Sequence, residues 1–369
     1  MEKVRHVLGI SGGKDSAALA IYLNQKHPEL DIEYYFCDTG KELDETYNLI
    51  NNLENYLGKE IIKLQAAKDS HEDPFDHFHQ SYGGFLPSSN ARWCTKKLKL
   101  DPFEKFVGDD PVISYVGIRG DENREGYISK KENIQSIFPF RKNIWSVDVI
   151  KKVLDNNNID NLIKEVNNIV GENSVKEKLV NILLNPITPD FDLNEKLDNI
   201  LNISTKTFNE LVFKYLKSTS YPLSKTTDFD LIDNEDILIR KDIFKILRES
   251  GVGVPKYYEK VSFEVNGEKG EYARSRSGCF FCFFQQKIEW VWLYEQHPER
   301  FKKAMKYEKD GYTWMQDESL EELIKPERIK EIKEDALEKS KKSKDAGQSP
   351  YLMDKLAEAE GEGCAACFI

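Results

Sequence analysis

The N-terminal part of the chain alternates between short apolar runs and segments with helical periodicity. Apolar runs of strand length span residues 4–10, 32–37 and 61–64. Residues 15–26 and 43–57, which lie between these runs, carry apolar side chains at helical spacing. This alternation of strands and helices predicts a parallel sheet with right-handed crossover connections.

A further strand is predicted at residues 112–117, after a loop at residues 69–90 that is rich in His, Asp and Gly. Ligands of open parallel sheets bind at the carboxyl ends of the strands. We therefore expect the loop after the first strand, the segment 38–40 and the segment 119–124 to converge on one crevice.

Residues 147–250 are rich in Asn, Asp, Lys, Ile and Leu at helical spacing. This composition predicts a helical insertion that shapes a substrate entrance or docks a partner, and a mere spacer is the alternative. Further on, we predict a hairpin around residues 265–267, an aromatic helix at 285–307, and a charged helix or solvated linker at 330–344.

The composition restricts the class of protein without naming a partner. The formal net charge of -11 argues against a uniformly basic nucleic-acid-binding surface, although it leaves room for a local basic patch. No apolar run approaches the ~18 residues that span a bilayer, and the N-terminus has no signal-peptide pattern. We therefore expect a cytoplasmic protein with no membrane partner.

The strongest local motif is the hexapeptide at residues 11–16, between the first strand and the first helix. Glycines let backbone amides approach a phosphate, the helix start adds a positive end, and Lys14 adds a charge. The spacing is not that of a Walker loop, which has more residues between its glycines. A chance glycine turn is the alternative, and the position between a strand and a helix argues against it.

The hexapeptide Ser-Gly-Gly-Lys-Asp-Ser resembles the PP-loop of the ATP pyrophosphatase and phosphoadenosine phosphosulfate (PAPS) reductase superfamily. Segments 37–40, 92–99, 117–119 and 277–282 match further motifs of that superfamily. The resemblance covers roughly residues 4–145 and 251–308. It implies an α/β fold of the adenine nucleotide alpha-hydrolase type, with a five-stranded parallel sheet and helices on both faces.

With this resemblance, the chain divides into three predicted regions. Residues 1–146 form the PP-loop nucleotide-binding domain, and residues 147–250 form the helical insertion. Residues 251–369 form a C-terminal region with a CxxC pair, the aromatic helix and a cysteine-containing tail.

The intact loop implies the ATP-cleaving branch of the superfamily, in which a substrate oxygen attacks the α-phosphate and pyrophosphate leaves. Lys14 and the amides of Gly12 and Gly13 would hold the leaving pyrophosphate. Asp15 would hold a Mg²⁺ ion or, alternatively, interact with the helix dipole. Arg119 would be a catalytic phosphate clamp or would form a surface ion pair. The remaining nucleotide-binding residues implied by the resemblance are Ser11, Ser16, Asp38, Thr39, Gly40 and Arg124.

Three cysteines form a second group, because Cys279 and Cys282 make a CxxC pair and Cys94 lies in a basic segment that favours a thiolate. Sulfur-incorporating relatives, such as DNA phosphorothioation enzymes and some tRNA thiolases, hold an iron-sulfur cluster with cysteines at similar places. The resemblance thus implies a 4Fe-4S cluster on these three, with zinc as the alternative. Cys364 or Cys367 would be the fourth ligand, or one iron would stay open for sulfide.

Other conspicuous residues receive structural interpretations. Cys37 lies in an apolar strand and is expected to be buried. His71, His77 and His79 are expected to be exposed to solvent. Most aromatic side chains between residues 280 and 292 are expected in the core, although they could stack on bases.

The sequence therefore predicts a sulfurtransferase-like enzyme that adenylates an oxygen of a nucleic acid, either DNA or tRNA. A cysteine desulfurase or another protein would be its partner. The first alternative is a sulfonucleotide reductase that uses Cys364 or Cys367 as nucleophile. The second is a nucleotide-binding subunit of a multi-protein system, such as an anti-phage defence system, without turnover.

Overall fold

The computed structural model describes residues 3–122, 124, 128–171, 174–309 and 311–346. Cys364 and Cys367 lie outside the described residues, as does the rest of the predicted cysteine tail. Within the described part of the chain, no helix is both long enough and apolar enough to cross a membrane.

A parallel sheet of five strands in the order β3-β2-β1-β4-β5 organises the N-terminal part. The strands are β1 (Arg5–Gly9), β2 (Ile32–Cys37), β3 (Ile61–Leu64), β4 (Val112–Tyr115) and β5 (Ile134–Ile137). The predicted five-stranded α/β fold is confirmed. Hydrophobic periodicity located the first four strands, whereas the edge strand β5 was implied only by the resemblance.

Helices cover both faces of the sheet. The helices of this part are α1 (Lys14–Lys26), α2 (Asp44–Leu57), α3 (Pro74–Ser81), α4 (Trp93–Thr95) and α5 (Asp101–Val107), with a π-helical turn at Lys96–Leu100. Leu8 of β1 packs with α1 and α2, and its neighbour Val7 packs on the other face with Phe103 of α5. Successive strand residues point to opposite faces, so both layers bury apolar side chains.

The region 147–250 is helical, as predicted. It contains α6 (Val147–Val153), α7 (Ile159–Ile169), α8 (Ser174–Leu184), α9 (Leu193–Ile203), α10 (Thr205–Leu216) and α11 (Arg240–Glu249). Its apolar residues join the core on the α1 side of the sheet. Tyr22 of α1 donates hydrogen bonds to Asn234 (2.8 Å) and Asp236 (2.7 Å). Helix α11 and the loop before it therefore pack on α1, the helix that follows the PP-loop. The three-region division itself stays a prediction.

The C-terminal part contains the predicted hairpin, β6 (Val261–Val265) and β7 (Glu268–Tyr272), whose turn residues Asn266 and Gly267 have positive φ angles. The predicted aromatic helix is two helices, α12 (Lys287–Gln296) and α13 (Pro298–Met305). The break follows from Pro298, since a residue before proline avoids helical angles. Two further helices are α14 (Leu320–Leu323) and α15 (Pro326–Ala346), so the charged segment at 330–344 is helical.

Two expectations for the segment 69–90 are wrong. It contains α3, which starts at Pro74 and is capped by the Asp73 side chain accepting from the amide of Asp76 at 3.1 Å. His79 is buried, because its ring stacks on Phe75 with 5.9 Å between the ring centroids. Asp and Pro at the start of a helix give a capping signal that the His-rich composition obscured.

Candidate functional site

The PP-loop connects β1, the central strand, to α1, and its conformation requires glycine. Gly12 has a φ of +73°, and an added Cβ there would lie 2.2 Å from Cγ2 of Thr46. At Gly13 an added Cβ would lie 2.6 Å from Oγ of Ser277. Gly13 also leaves the first turn of α1 without a capping side chain, so an anion can meet its amides.

Residues from the C-terminal part cover the PP-loop. The hydroxyl of Tyr257 donates to the carbonyl of Gly12 at 2.8 Å. Lys14 is buried; its Nζ donates to the carbonyl of Ser275 at 3.4 Å and lies 4.8 Å from the ring centroid of Tyr258. Tyr257, Tyr258, Ser275 and Ser277 therefore enclose the loop, which no pattern in its own segment predicts.

Asp15 and Arg119, which come from separate segments, are joined in the interior. Arg119 Nη1 lies 2.9 Å from Oδ1 of Asp15 and 2.9 Å from Glu122, while its Nε donates to Asp121 at 2.8 Å. Burial alone would lower the pKa of Arg119, but the charges of Asp15 and Glu122 raise it above its usual value. Arg124 pairs with Glu122 at 2.6 Å and so extends the same network. The ion pair foreseen for Arg119 is therefore buried.

The two PP-loop serines brace the loop internally. Oγ of Ser16 accepts from the amide of Ser11 at 3.1 Å and lies 3.1 Å from Oγ of Ser11. The hydroxyls thus hold the turn in shape within the loop itself. The structure places all six residues of the motif at the carboxyl end of β1, as expected for a ligand site.

The segment after β2 lies beside the PP-loop. Asp38 accepts from the amide of Gly40 at 2.9 Å, from Tyr47 at 2.8 Å and from Gln65 at 3.0 Å. Burial would raise the pKa of Asp38, but its hydrogen bonds and the charge of Lys63 lower it overall. Asp38 is therefore a firmly held carboxylate at the sheet edge.

Thr39 links this segment to the cysteines. Its Oγ1 donates to Glu42 at 2.7 Å and lies 3.2 Å from Sγ of Cys279. Glu42 is buried, and burial together with the charge of Asp38 raises its pKa to about 7. Sequence reasoning missed Glu42, since a lone glutamate after a glycine turn has no distinctive pattern.

The three cysteines predicted as ligands belong to two parts of the chain, and Cys94 and Cys279 pack against the same apolar core. Burial and then Cys282 raise the pKa of Cys94 to about 12, and burial, Glu42 and Cys282 raise the pKa of Cys279. A charge on Cys282 therefore affects the ionisation of both other thiols. Even so, across the described ranges no three His, Cys, Asp or Glu side chains are arranged to hold a metal ion. Cys37 is buried, as expected.

Arg274 is the cation that sequence reasoning passed over. Its guanidinium is buried over the ring of Tyr257, with 5.8 Å between Cζ and the ring centroid, and Nη2 donates to the carbonyl of Cys279 at 3.0 Å. Its Nε and Nη1 have no hydrogen-bond partner among the residues that the structure describes. A buried cation of this kind is suited to a bound anion. The available signal was the basic run directly before the CxxC pair.

Comparison with known proteins agrees with this geometry. The model of the phosphoadenosine phosphosulfate reductase domain matches residues 5–160, which contain the whole parallel sheet. This region belongs to the PAPS reductase-like PP-loop superfamily. The PP-loop assignment from the hexapeptide is thereby confirmed.

Three relatives illustrate the range of this PP-loop superfamily. An uncharacterized protein of Methanocaldococcus jannaschii is 33% identical over 160 residues, which is 39% of this chain and 32% of that protein. A tRNA-specific 2-thiouridylase MnmA of Actinobacillus succinogenes is 24% identical, covering 37% and 42% respectively. An adenosine 5'-phosphosulfate reductase of Staphylococcus haemolyticus is 25% identical, covering 39% and 58%. The chain thus spans between about a third and three fifths of these relatives.

Proposed function

We propose that this protein cleaves ATP between the α and β phosphates to adenylate an oxygen of a nucleic acid, and that sulfur then replaces this oxygen. The observation that carries the proposal is the complete PP-loop at the carboxyl end of the central strand, with Lys14 enclosed beside Ser275. The named relatives in sulfur chemistry, a tRNA thiouridylase and a sulfonucleotide reductase, support it.

In the first step, the substrate oxygen forms a bond to the α-phosphorus, and the bond to the bridging oxygen of the β-phosphate breaks. The leaving pyrophosphate carries the developing charge, which Lys14 and the amides at the start of α1 are placed to stabilise. Arg274 is a further candidate for this role, since it is a buried cation with unpartnered N–H groups near the same loop. Arg119 holds Asp15 in position.

In the second step, a sulfur nucleophile forms a bond to the activated atom, a carbon of a base or a phosphorus of the backbone, and the bond from that atom to the oxygen of AMP breaks. A persulfide delivered by a cysteine desulfurase is the donor that we propose, and its outer sulfur forms the bond to the substrate. A second cysteine thiol then attacks the inner sulfur, the S–S bond breaks so that the outer sulfur stays on the substrate, and the disulfide that forms is reduced by a dithiol before the next turnover. DNA and tRNA can both be the sulfur acceptor, because each contains oxygens that sulfur can replace.

A Mg²⁺ ion at Asp15 belongs to this proposal. The carboxylate already has cationic partners, with Arg119 at 2.9 Å and Lys14 at 3.4 Å. Its oxygens are nonetheless the type of ligand that Mg²⁺ prefers. When bound with ATP, the ion would neutralise phosphate charge.

An iron-sulfur cluster on Cys94, Cys279 and Cys282 is also part of the proposal, and zinc is its alternative. The donor chemistry suits either group, since thiolates bind both. As placed, however, the described thiols do not form a ligand set, and no step above depends on a cluster. Iron, zinc and acid-labile sulfide content of the purified protein distinguish the two.

The decisive experiment incubates the protein with ATP labelled at the α-phosphate, Mg²⁺ and either tRNA or DNA. We expect pyrophosphate in an amount equal to the labelled adenylate on the nucleic acid, or to free AMP once sulfide is added, dependent on the nucleic acid and absent in Lys14→Ala. Lys245→Ala, which changes an exposed lysine of α11, is the matched control. ATP binding without pyrophosphate release under all conditions would favour a nucleotide-binding subunit instead.

A sulfonucleotide reductase is the second candidate, and the similarity to adenosine 5'-phosphosulfate reductase favours it. In that reaction a thiol attacks the sulfur of the sulfonucleotide, AMP leaves, and a second thiol releases sulfite as a disulfide forms. Sulfite production from adenosine 5'-phosphosulfate and a dithiol reductant, with no cleavage of ATP, would replace the adenylation proposal.

A further inference from the structure

Exposed aromatic side chains form a patch beside the cysteine-bearing segment. Five large apolar side chains are exposed in the described part of the chain, and three of them belong to this patch: Tyr82 (43%), Phe85 (46%) and Tyr312 (45%). The rings of Phe85 and Tyr312 meet edge to face at 4.8 Å. Their clustering is unusual, since exposed apolar side chains are normally scattered. We call these three residues the aromatic patch.

The aromatic patch borders a cavity of about 580 Å³ with a cationic rim. The cavity is lined by Tyr82, Phe85, Ala91, Arg92, Trp93 and Lys96. Trp93 anchors its floor by donating from Nε1 to the carbonyl of Phe85 at 3.1 Å. No acidic residue is among these lining residues, although the whole chain carries a charge of -11. The rim is therefore a local basic site on an acidic protein.

A third cation lies close to the aromatic patch. A Cβ added at Gly84 would lie 2.2 Å from Nζ of Lys309, so this amine sits over the backbone between Tyr82 and Phe85. Flat apolar rings next to amines and a guanidinium suit a ligand with planar bases and an anionic backbone.

The cavity adjoins the segments that carry Cys94 and Cys282. Cys94 directly follows Trp93 in α4, and the guanidinium of Arg92 lies 5.0 Å from the ring centroid of Phe284, two residues beyond Cys282. A base held in the cavity would therefore lie next to the segment that carries Cys94.

We propose that the aromatic patch and its cavity bind single-stranded nucleic acid, with an unpaired base stacked on Tyr82 or Phe85 and the backbone phosphates near Arg92, Lys96 and Lys309. This inference rests on the proposed function and names its substrate class as an unpaired segment. A base in a duplex has both faces covered and cannot reach such rings without leaving the stack.

Binding of fluorescently labelled oligonucleotides of about 12 residues, measured by anisotropy, tests the proposal. We expect Tyr82→Ala and Phe85→Ala each to weaken binding roughly 5- to 150-fold, the effect of losing one stacked base. Leu184→Ala and Ile237→Ala are matched controls, because these side chains are similarly exposed (54% and 49%) on the helical region. Both controls should bind like the unmodified protein.

The contribution of the charged rim is measured from the salt dependence of binding. Lys96→Gln should reduce the slope of log Kd against log salt by about one, as expected when one phosphate contact is lost. Lys245→Gln should leave the slope unchanged. Parallel series with single-stranded RNA, single-stranded DNA and duplex DNA identify the preferred chemistry, and both single strands should bind more tightly than the duplex.

Equal binding by the patch variants and the unmodified protein would overturn the proposal, as would tighter binding of the duplex. A patch variant that loses self-association in light scattering but keeps oligonucleotide binding would assign the patch to contacts between copies. Pyrophosphate release is measured separately. If the patch variants lose oligonucleotide binding while the unmodified protein releases no pyrophosphate, the patch inference stands and the adenylation proposal fails.

Discussion

Nη1 of Arg119 donates a hydrogen bond of 2.9 Å to Oδ1 of Asp15, and each side chain is only 6% exposed. An ion pair inside the protein is costly to break from one side, because the remaining charge stays buried. The contact joins the start of α1 to the segment after β4, which are neighbours only because β1 and β4 pair.

We therefore expect Arg119→Ala to lower the free energy of unfolding by about 3–5 kcal/mol. Arg300→Ala is the control, because Arg300 forms a pair of similar length (2.8 Å) with Asp44, whose side chain is 80% exposed. That variant should lose at most about 1 kcal/mol. Urea unfolding followed by circular dichroism measures both, and equal losses would refute the role of burial.

The contact between Gly12 and Thr46 predicts a compensating pair of substitutions. Gly12→Ala places a methyl group 2.2 Å from Cγ2 of Thr46 at a positive φ, so ATP binding and stability should both fall. Thr46→Ser removes Cγ2 and should restore part of the loss in the double variant.

Gly58→Ala separates the two causes, since its φ is +61° with no atom within 4 Å of the added Cβ. It measures the backbone strain alone, of about 1 kcal/mol. A double variant no more stable than Gly12→Ala in thermal melts would mean that Thr46 is not the obstacle.

The proposed cluster predicts that Cys279→Ser and Cys282→Ser each lower both the bound metal and the melting temperature, because metal binding contributes to folding. Cys37→Ser is the control for metal content, since Cys37 is buried and its Sγ lies 3.6 Å from the carbonyl of Lys99. Metal analysis of the anaerobically purified proteins compares the metal content of each variant with that of the unmodified protein. Wild-type metal content in both CxxC variants would exclude these cysteines as ligands.

Glu318 predicts an acid-sensitive contribution to stability. Arg328 holds both of its carboxylate oxygens, at 2.8 and 2.9 Å, and Lys287 lies 2.5 Å away. The hydrogen bond from Arg328, together with Lys287, lowers the pKa of Glu318 to about 2. Because the folded state holds the proton more weakly than the unfolded chain, this stabilisation is complete above about pH 4.5 and declines towards pH 2.

Glu318→Gln should accordingly lower the melting temperature at pH 7, and the difference should shrink between pH 4.5 and pH 2. Glu331→Gln removes an exposed carboxylate that also pairs with Arg328, at 2.8 Å, and should have little effect at pH 7. A Glu318→Gln deficit that stays constant down to pH 2 would contradict the assigned pKa.

Sequence reasoning recovered the features that depend on local order. Apolar runs located β1 to β4, and the hexapeptide alone identified the PP-loop. The apolar pattern did not predict the edge strand β5, because Gln135 and Ser136 interrupt it, although both side chains are buried. The turn at Asn266-Gly267 was found because its residue types dictate the backbone angles.

The sequence did not predict which residues surround the PP-loop, because these residues depend on contacts between distant segments. No sequence pattern near Tyr257 predicts that its hydroxyl donates to the carbonyl of Gly12. The burial of Lys14 has the same origin, since the residues that cover it come from the C-terminal part. Local sequence patterns identify the residues of a loop. The residues that pack around the loop are determined by the tertiary fold.

The Tyr257–Gly12 contact joins positions 245 residues apart, which has a consequence for biosynthesis. A ribosome that adds about 5–20 residues per second produces the PP-loop roughly 10–50 s before Tyr257. During that interval the nascent sheet presents its glycine loop and the Lys14 amine to the surroundings without their cover. The nucleotide site is therefore among the last parts of the molecule to be completed, and a nascent chain arrested before Tyr257 should carry the motif without the finished site.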